Sequence, residues 1–150
     1  MLQELFVITL LALAMGEENP QYEICESTMG SVLAFSVSGT EVKDGKCILK
    51  KNTTITANVT FKTNQEVKDA TVAGKGMYGN IPFSFPLNKP KICEVLKCPL
   101  EKNVPYNVEE SHKFSLSFFT GDITVYIKII DTYSNATIAC VDFQAEIVRE

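Results

Sequence analysis

The sequence predicts an all-β fold, a two-layer antiparallel β-sandwich, and three observations support this prediction. Apolar side chains recur at every second position in several runs, as expected of strands with one buried face. Turn-forming residues separate the runs at Gly39, Asp44-Gly45, Gly79-Asn80, Gly121-Asp122 and the prolines between residues 82 and 105. No stretch has the caps and the period of an ordinary amphipathic helix. Strands of this kind bury their apolar faces by packing two sheets about 10 Å apart.

The alternation also predicts where the strands lie. The predicted strands are residues 33–37, 58–62, 70–72, 114–118, 123–129 and 141–147. In the first of them, Leu33, Phe35 and Val37 are expected to face inward. The clearest alternation is Phe114-Ser115-Leu116-Ser117-Phe118, in which serine separates the large apolar residues.

An apolar leader precedes the predicted sandwich. Residues 5–15 are too short to cross a bilayer but match the apolar region of a secretory signal, and Ala14 and Gly16 fit the small-residue cleavage pattern. Glu4 is atypical, because a lysine or arginine is expected at the start of such a signal. We therefore predict a signal peptide at residues 1–16 and one secreted domain at residues 17–150.

Three glycan acceptor sequences support passage through the secretory route. They begin at Asn52, Asn58 and Asn135, and none has a proline between the asparagine and the threonine. The sequence therefore predicts a glycoprotein in which these three asparagines face water.

Five cysteines leave one unpaired, and the sequence alone does not assign the bonds. The favoured pairs are Cys25 with Cys140, which ties the opening segment to the last strand, and Cys93 with Cys98, which closes a proline-flanked corner. The first pair closes a long loop and would contribute roughly 4 to 5 kcal/mol in the chain-entropy account. Cys47 is left over as a buried thiol, an intermolecular link or the remnant of a lost bridge.

Catalysis and charged partners have little support in the sequence. The one histidine, His112, falls in a polar stretch, residues 109–113, that reads as an exposed turn with Glu109 and Glu110. Any Ser-His-acid arrangement would have to use this histidine, and one histidine does not form a usual zinc site. The imidazole of His112 could gain a positive charge as pH falls. The formal net charge of −4 and the scattered lysines do not indicate nucleic-acid binding. No enzyme activity, metal, cofactor or nucleic-acid partner is predicted.

Several short stretches resemble the ML (MD-two-related lipid-recognition) domain family, and within it the Niemann-Pick type C-two group. The stretches that carry the resemblance are Asn58-Val59-Thr60-Phe61, Ile81-Pro82-Phe83-Ser84-Phe85-Pro86, Cys93 and Cys98 with Pro99-Leu100-Glu101-Lys102, Tyr106, and Asn135-Ala136-Thr137 before Cys140. The resemblance implies an immunoglobulin-like two-sheet antiparallel β-sandwich with an internal hydrophobic ligand cavity between the sheets. An ordinary immunoglobulin domain fits less well, because the chain has no tryptophan to pack on a disulfide between sheets.

Two departures from the type C-two group concern its ligand specificity. The group usually has a further bridge whose second cysteine would be Cys47, but the position of the partner falls near Val42. The tryptophan common on a late strand is also missing, and its place falls near Ile127. These differences weaken the expectation of strict sterol specificity without removing the apolar interior.

The inward-facing aromatic and aliphatic residues are the predicted ligand site. They are Phe35, Val59, Phe61, Phe83, Phe85, Phe114, Leu116, Phe118, Val125 and Phe143. By resemblance, Phe85 and Phe118 lie near the pocket mouth. The alternative for every one of these positions is an ordinary, fully packed core.

Together these observations predict a secreted, monomeric lipid-binding and lipid-transfer protein. It would carry a sterol, a fatty acid or a similar apolar ligand without catalysis, outside the cell or in the endosomal-lysosomal lumen, and could deliver it to a membrane lipid-transfer receptor. The alternative is an innate-immune lipid co-receptor or another extracellular interaction module of the same superfamily.

Overall fold

The computed structural model describes residues 19–87, 89–115 and 120–149, which form ten β-strands and one short 3-10 turn. The predicted signal peptide lies outside the described residues. The strands are β1 Tyr22–Ile24, β2 Gly30–Ser38, β3 Val42–Lys43, β4 Lys46–Leu49, β5 Thr53–Thr63, β6 Ala70–Tyr78, β7 Ile81–Phe85, β8 Tyr106–Phe114, β9 Gly121–Asp131 and β10 Thr137–Ile147, and the 3-10 turn is Ile92–Glu94. No helix in this part of the chain is long and apolar enough to cross a membrane.

The described strands form two sheets, which confirms the predicted sandwich. The larger sheet has the order β3-β4-β10-β9-β6-β7, with β1 also paired to β10, and the smaller sheet has the order β2-β5-β8. The prediction of purely antiparallel pairing is wrong at one place, because β4 runs parallel to β10 with Ala145 opposite Cys47. The chain enters the larger sheet in the β3–β4 hairpin and passes from β4 to β5 of the smaller sheet, so no tight hairpin joins β4 to β10 and imposes the antiparallel direction on this pair.

Buried and more exposed residues alternate through β5, through β9 and through β10 from Val141 onward, as predicted, whereas residues 138–141 at the start of β10 are all buried. The core between the sheets is aromatic and aliphatic, and Phe61 and Phe143 are fully buried within it. Burial of one such side chain contributes about 1.5 to 3 kcal/mol. The two apolar faces are therefore the main source of stability.

The prediction that Leu33 faces inward is wrong, because its side chain is 48% exposed. The register between β2 and β5 shifts between Val32 and Ala34, where a bulge leaves Leu33 without an opposite residue. Val32 packs against the core instead, and the alternation resumes correctly at Phe35 and Val37. An extra residue in one strand moves a side chain to the other face of the sheet. The two-residue period of the apolar residues does not reveal such a bulge.

Pro82 was predicted to lie in a break between strands, but it lies inside β7 opposite Met77. β7 is an edge strand of the larger sheet, where a residue without an N–H is tolerated. Most of the predicted strand at residues 114–118 falls outside the described residues, and Phe114 is the last residue of β8. Leu116 and Phe118 lie outside the described residues.

One edge of the sandwich is joined by backbone and covalent links between β2 and β10. The side chain of Asn19 donates to the carbonyl of Phe35 (3.1 Å) and accepts from the N–H of Val37 (3.3 Å). The same N-terminal segment pairs with β10, because the N–H of Gln144 donates to the carbonyl of Gln21 (3.0 Å). A disulfide joins Cys25 to Cys140. We call this side of the sandwich the β2–β10 edge.

Gly30 allows a close approach at the β2–β10 edge. A Cβ at this position would lie 2.8 Å from the carbonyl oxygen of Ile138 and would also clash with the carbonyl of Lys62. Only glycine fits between two backbones at this spacing. The N–H groups of Thr28 and Met29 donate to the carbonyl of Thr137 at 3.0 Å, so the start of β2 is fixed to the start of β10.

The second disulfide, Cys93 to Cys98, encloses the 3-10 turn. Ile92 and Leu100, on either side of this loop, are fully buried. Val67 and Leu100 exchange two backbone hydrogen bonds of 3.0 and 2.7 Å, and the N–H of Val72 donates to the carbonyl of Pro90. The segment between β7 and β8 is therefore held against the start of β6.

Cys47 is a free, fully buried thiol. Burial raises its pKa to about 12, so the reactive thiolate is strongly disfavoured. This environment agrees with the buried-thiol interpretation and leaves no exposed sulfur for an intermolecular link. Its cross-strand neighbour in the β3–β4 pair is Val42, the position where the resemblance places the partner of the missing bridge.

We expect Val42→Cys to form a disulfide with Cys47, because directly opposite residues of an antiparallel pair have Cα atoms within disulfide range. The loop is short, so the expected gain in unfolding free energy is roughly 2 kcal/mol. Thiol titration in denaturant should find one free cysteine in the wild type and none in the variant, and urea unfolding gives the stability. Two titratable thiols in the variant, or a lower unfolding free energy, would show that this hairpin does not suit a disulfide.

Candidate functional site

The structure places the predicted ligand residues on the inner faces of the two sheets, apart from Leu116 and Phe118, which lie outside the described residues. The placed residues are Phe35 on β2, Val59 and Phe61 on β5, Phe83 and Phe85 on β7, Phe114 on β8, Val125 on β9 and Phe143 on β10. Whether they contact a ligand stays a prediction. Their environments divide them into two groups.

The first group lies toward the β2–β10 edge and is fully packed. The rings of Phe35 and Phe143 face each other across the two sheets with centroids 5.5 Å apart, and Tyr22 covers Phe35 at 5.0 Å. Phe61 contacts Tyr106 at 6.1 Å. These spacings are those of ordinary aromatic packing. Phe35, Phe61 and Phe143 therefore act as core in the described conformation.

The second group, which we call the β7–β8 aromatic cluster, consists of Phe83, Phe85, His112 and Phe114. The Phe85 ring lies 6.3 Å from Phe83, 6.0 Å from Phe114 and 4.8 Å from the imidazole of His112. The imidazole meets Phe114 edge-on at 4.7 Å. Because β7 and β8 belong to different sheets, these rings connect the two sheets opposite the β2–β10 edge. Phe83 and Phe85 are half-buried, so the cluster is reached from outside.

Two glycines of β6 set the position of the β7 rings. A Cβ at Gly74 would lie 2.5 Å from the Phe85 ring, and a Cβ at Gly76 would clash with the Phe83 ring. The absence of both side chains lets the phenyl rings lie against the backbone of β6. The inner surface near β7 is therefore formed by flat aromatic faces.

The prediction that His112 lies in an exposed polar turn is wrong, because this residue is half-buried within β8. Its Nδ1 lies 2.9 Å from the carbonyl oxygen of Pro86. Burial lowers the pKa of the imidazole, and the hydrogen bond to Pro86 opposes this in part. The sequence does contain an indication of this inward orientation, because His112 is an even number of residues from the apolar Val108 and Phe114 and so shares their face of the strand.

Glu110 corrects the same prediction, because it is 5% exposed whereas Glu109 is exposed. It lies on the inner face of β8, opposite the small side chain of Ala57. Its carboxyl accepts a hydrogen bond from the backbone N–H of Lys89 at 3.3 Å. Burial raises the pKa of the Glu110 carboxyl, and Lys89 partly offsets this effect.

The surroundings of His112 do not form a nucleophile and its base. In the part of the chain that the structure describes, its contacts are the carbonyl of Pro86 and the rings of Phe85 and Phe114. No group of three or more His, Cys, Asp or Glu side chains within residues 19–87, 89–115 and 120–149 is placed to hold a metal ion. The arrangement is that of an apolar surface with two polar groups set into it.

An open groove of about 680 Å³ lies on the outer face of the larger sheet. Its lining includes Lys75, Tyr126 and Lys128, together with the Cys25–Cys140 disulfide. These side chains alternate with the inward-facing residues of β6, β9 and β10, so the groove lies on the side away from the core. Phe83, one of the predicted ligand residues, also lines this groove, which therefore adjoins the β7–β8 aromatic cluster.

The glycan acceptor asparagines lie on the outside of the sandwich. Asn52 and Asn135 are exposed in turns and have positive φ angles of 67° and 65°, a conformation that asparagine tolerates. Asn58 is half-buried on the outer face of β5. Attachment of glycans at these positions stays a prediction.

The sequence matches the ML domain over residues 20–147. Over 143 residues it is 29% identical to the "NPC intracellular cholesterol transporter 2 homolog a" of Drosophila melanogaster, covering 94% of this chain and 96% of that protein. It is also 30% identical over 105 residues to the "Ecdysteroid-regulated 16 kDa protein" of Manduca sexta, covering 69% of this chain and 72% of the other.

Solved structures show the same architecture. The Niemann-Pick type C2 protein from Japanese carpenter ant superposes with a TM-score of 0.70 and 25% identity, over 85% of this chain and 99% of that one. Chicken MD-1, solved in complex with lipid IVa, superposes with a TM-score of 0.50 and 18% identity, over 87% of this chain and 92% of that one. The second likeness concerns the fold alone.

We expect Glu110→Gln to raise the Tm more at neutral pH than near pH 4. The folded-state pKa of Glu110 lies above its unfolded value of about 4.3, so the unfolded chain loses its proton first as pH rises. Stability is then lost between the unfolded and the folded pKa, and an uncharged amide avoids that loss. Thermal unfolding at both pH values measures the effect.

The matched control for this prediction is Glu109→Gln, which removes the same charge from an exposed position. It should change the Tm little at either pH. An equal effect of Glu110→Gln at both pH values would mean that ionisation of Glu110 does not oppose folding.

Proposed function

Because the chain belongs to the ML-domain family, we propose that it is a secreted carrier that binds one apolar molecule between its two β-sheets and moves it without catalysis. The observation that carries the proposal is the largely apolar and aromatic lining of both inner faces, which ends in the half-buried β7–β8 aromatic cluster. The binding surface comprises the predicted ligand residues, with Leu116 and Phe118 included.

The way the two sheets are joined supports entry of the ligand between β7 and β8. At the β2–β10 edge, a disulfide, a glycine contact and several backbone hydrogen bonds hold the chain in place. At the β7–β8 edge, ring contacts and hydrogen bonds from His112 and Glu110 connect the sheets. A change of side-chain rotamer costs less free energy than the separation of hydrogen-bonded backbones. The sheets therefore separate most readily at the β7–β8 edge.

Apolar contact alone is sufficient to hold a long ligand in such a site. Each ligand methylene buried against the inner faces contributes about 0.8 kcal/mol. The fly relative is named as an intracellular cholesterol transporter homologue, which supports a sterol among the ligands. This chain has no tryptophan, has Ile127 at the place where the type C-two group commonly has one, and leaves Cys47 unpaired. We therefore propose a range of ligands that includes sterols, fatty acids and similar molecules.

The site of action that we propose is extracellular or in the endosomal-lysosomal lumen. Support comes from the apolar leader at residues 1–16, from the three glycan acceptor sequences and from two disulfides, which persist in oxidising compartments. The carrier would act as a monomer and deliver its ligand to a membrane or to a lipid-transfer receptor.

We expect Phe85→Asp to reduce lipid uptake by about 10-fold or more, because it puts a charge in place of a half-buried phenyl ring, and full burial of such a ring against a ligand contributes about 1.5 to 3 kcal/mol. The matched control is Leu33→Asp, which places the same new charge on the exposed outer face of β2. Transfer of a fluorescent sterol and a fluorescent fatty acid between phosphatidylcholine vesicles measures the activity. Circular dichroism establishes that both variants are folded.

The proposal predicts transfer by the wild type and by Leu33→Asp, and loss of transfer in folded Phe85→Asp. Equal transfer by both variants would place the ligand elsewhere. A wild-type protein that neither extracts nor transfers lipid, but forms a stable complex with a receptor, would contradict the carrier function and favour the interaction-module alternative.

A further inference from the structure

The inner face of β8 contains an acidic group that an apolar cavity does not require. Glu110 is 5% exposed and lies between Val108 and His112 on that face, with Ala57 opposite it on β5. A buried carboxylate is costly unless it is paired or hydrogen-bonded. Glu110 therefore needs a partner beyond the apolar residues around it.

The described part of the chain satisfies only part of the hydrogen-bonding capacity of Glu110. Within it, the Glu110 carboxyl accepts one hydrogen bond, from the backbone N–H of Lys89 at 3.3 Å. Among the described residues, Glu110 takes part in no ion pair within bonding distance. Lys46 and Asp122 form such a pair elsewhere in the structure. An ionised carboxyl accepts about four hydrogen bonds, so acceptor capacity is left for a ligand.

His112 adds a second acceptor on the same strand face. Its Nδ1 lies 2.9 Å from the carbonyl of Pro86, and a carbonyl only accepts, so the Nδ1 bears the hydrogen. Burial lowers the pKa of His112 and favours the neutral ring, whose Nε2 is then an acceptor. The rings of Phe85 and Phe114 flank the imidazole. The polar part of the inner face thus offers acceptors, surrounded by aromatic surface.

We propose that the ligand is an amphiphile whose apolar chain or ring system ends in a hydrogen-bond donor such as a hydroxyl, and that Glu110 is the residue that selects this head group. The inference rests on the proposed function and narrows its ligand class. The residue directly opposite Glu110 on β5 is Ala57, whose methyl group is the smallest side chain that a non-glycine residue can place beside the carboxyl. The hydroxyl would donate to the Glu110 carboxylate while the apolar part lies against the β7–β8 aromatic cluster.

A free fatty acid is disfavoured by the same arrangement. Its carboxylate would meet the Glu110 carboxylate in a partly desolvated site, and two like charges there cannot both stay ionised without a large penalty. An alcohol of the same chain length makes the same apolar contacts and adds a hydrogen bond to a charged acceptor. The head group thus decides between two ligands whose apolar parts are identical.

The test compares oleyl alcohol with oleic acid, which share one hydrocarbon chain, at about pH 8. Burial raises the pKa of the Glu110 carboxyl, so the comparison is made at an alkaline pH, which favours the ionised form. Displacement of a fluorescent apolar probe gives both affinities, and the affinity of the probe is measured separately for each variant. We expect the wild type to bind the alcohol at least about 10-fold more tightly than the acid, which corresponds to about 1.4 kcal/mol.

Glu110→Gln keeps an oxygen to accept from Lys89 but removes the charge. It should reduce the ratio of the two affinities to within about 3-fold, mainly through tighter binding of the acid. The control Glu109→Gln makes the same change at an exposed position of β8 and should keep the wild-type ratio.

The outcomes separate this inference from the proposed function. A wild type that binds the acid as tightly as the alcohol, or a ratio that Glu110→Gln leaves unchanged, would overturn the head-group selection and leave the carrier function standing. A wild type that binds neither molecule would overturn the carrier function and this inference together.

Discussion

The structure depends on the unequal way in which its two sheets are joined. Both sheets bury one apolar face, and that burial would hold them together along their whole width. At the β2–β10 edge the contact is made permanent by the Cys25–Cys140 disulfide, by backbone hydrogen bonds and by the approach of Gly30 to the backbone of Ile138. At the β7–β8 edge the sheets meet through the side chains of Phe85, His112 and Phe114. A sandwich built in this way has one fixed side and one side that side-chain motion can open.

The polar groups lie where that opening would occur. His112 hydrogen-bonds to the carbonyl of Pro86 and Glu110 accepts from the N–H of Lys89, so both attach the segment after β7 to strand β8. Each bond joins a side chain to a backbone group, and water can replace the protein partner on either side when the edge opens. The same two residues face the interior, so the groups that close this edge are also the ones that a bound head group would meet first.

Much of the fold follows from the period of the sequence, and the errors have identifiable causes. Alternation alone places Phe61, Val125 and Phe143 on buried faces, because it is unbroken along most of β5 and β9 and along β10 from Val141 onward. Leu33 was misplaced because a bulge shifts the register of β2, and a bulge changes no residue type. The parallel pairing of β4 depends on how the chain crosses between sheets, which the pattern of one strand does not contain.

The candidate site shows a different limit of sequence analysis. Residues 109–113 are polar at every position, so no contrast between faces marks them as a strand, yet Glu110 and His112 have the same parity as Val108 and Phe114. Because Val108, Glu110, His112 and Phe114 are two residues apart, they lie on the same face of β8. This spacing is the feature of the sequence that indicates an inward orientation of Glu110 and His112. The division of the aromatic residues into a packed core and the β7–β8 aromatic cluster needs the pairing of strands in two sheets, which no local pattern supplies.

Amide hydrogen exchange, measured with and without a bound lipid, tests the central claim most directly, because it reports local opening along each strand. The account predicts that lipid changes the protection of β7, of the segment from residue 86 to 90 and of β8, while β2 and β10 keep their slow exchange. A protein whose exchange is unaffected by any apolar ligand, or one that changes chiefly at the β2–β10 edge, would contradict it.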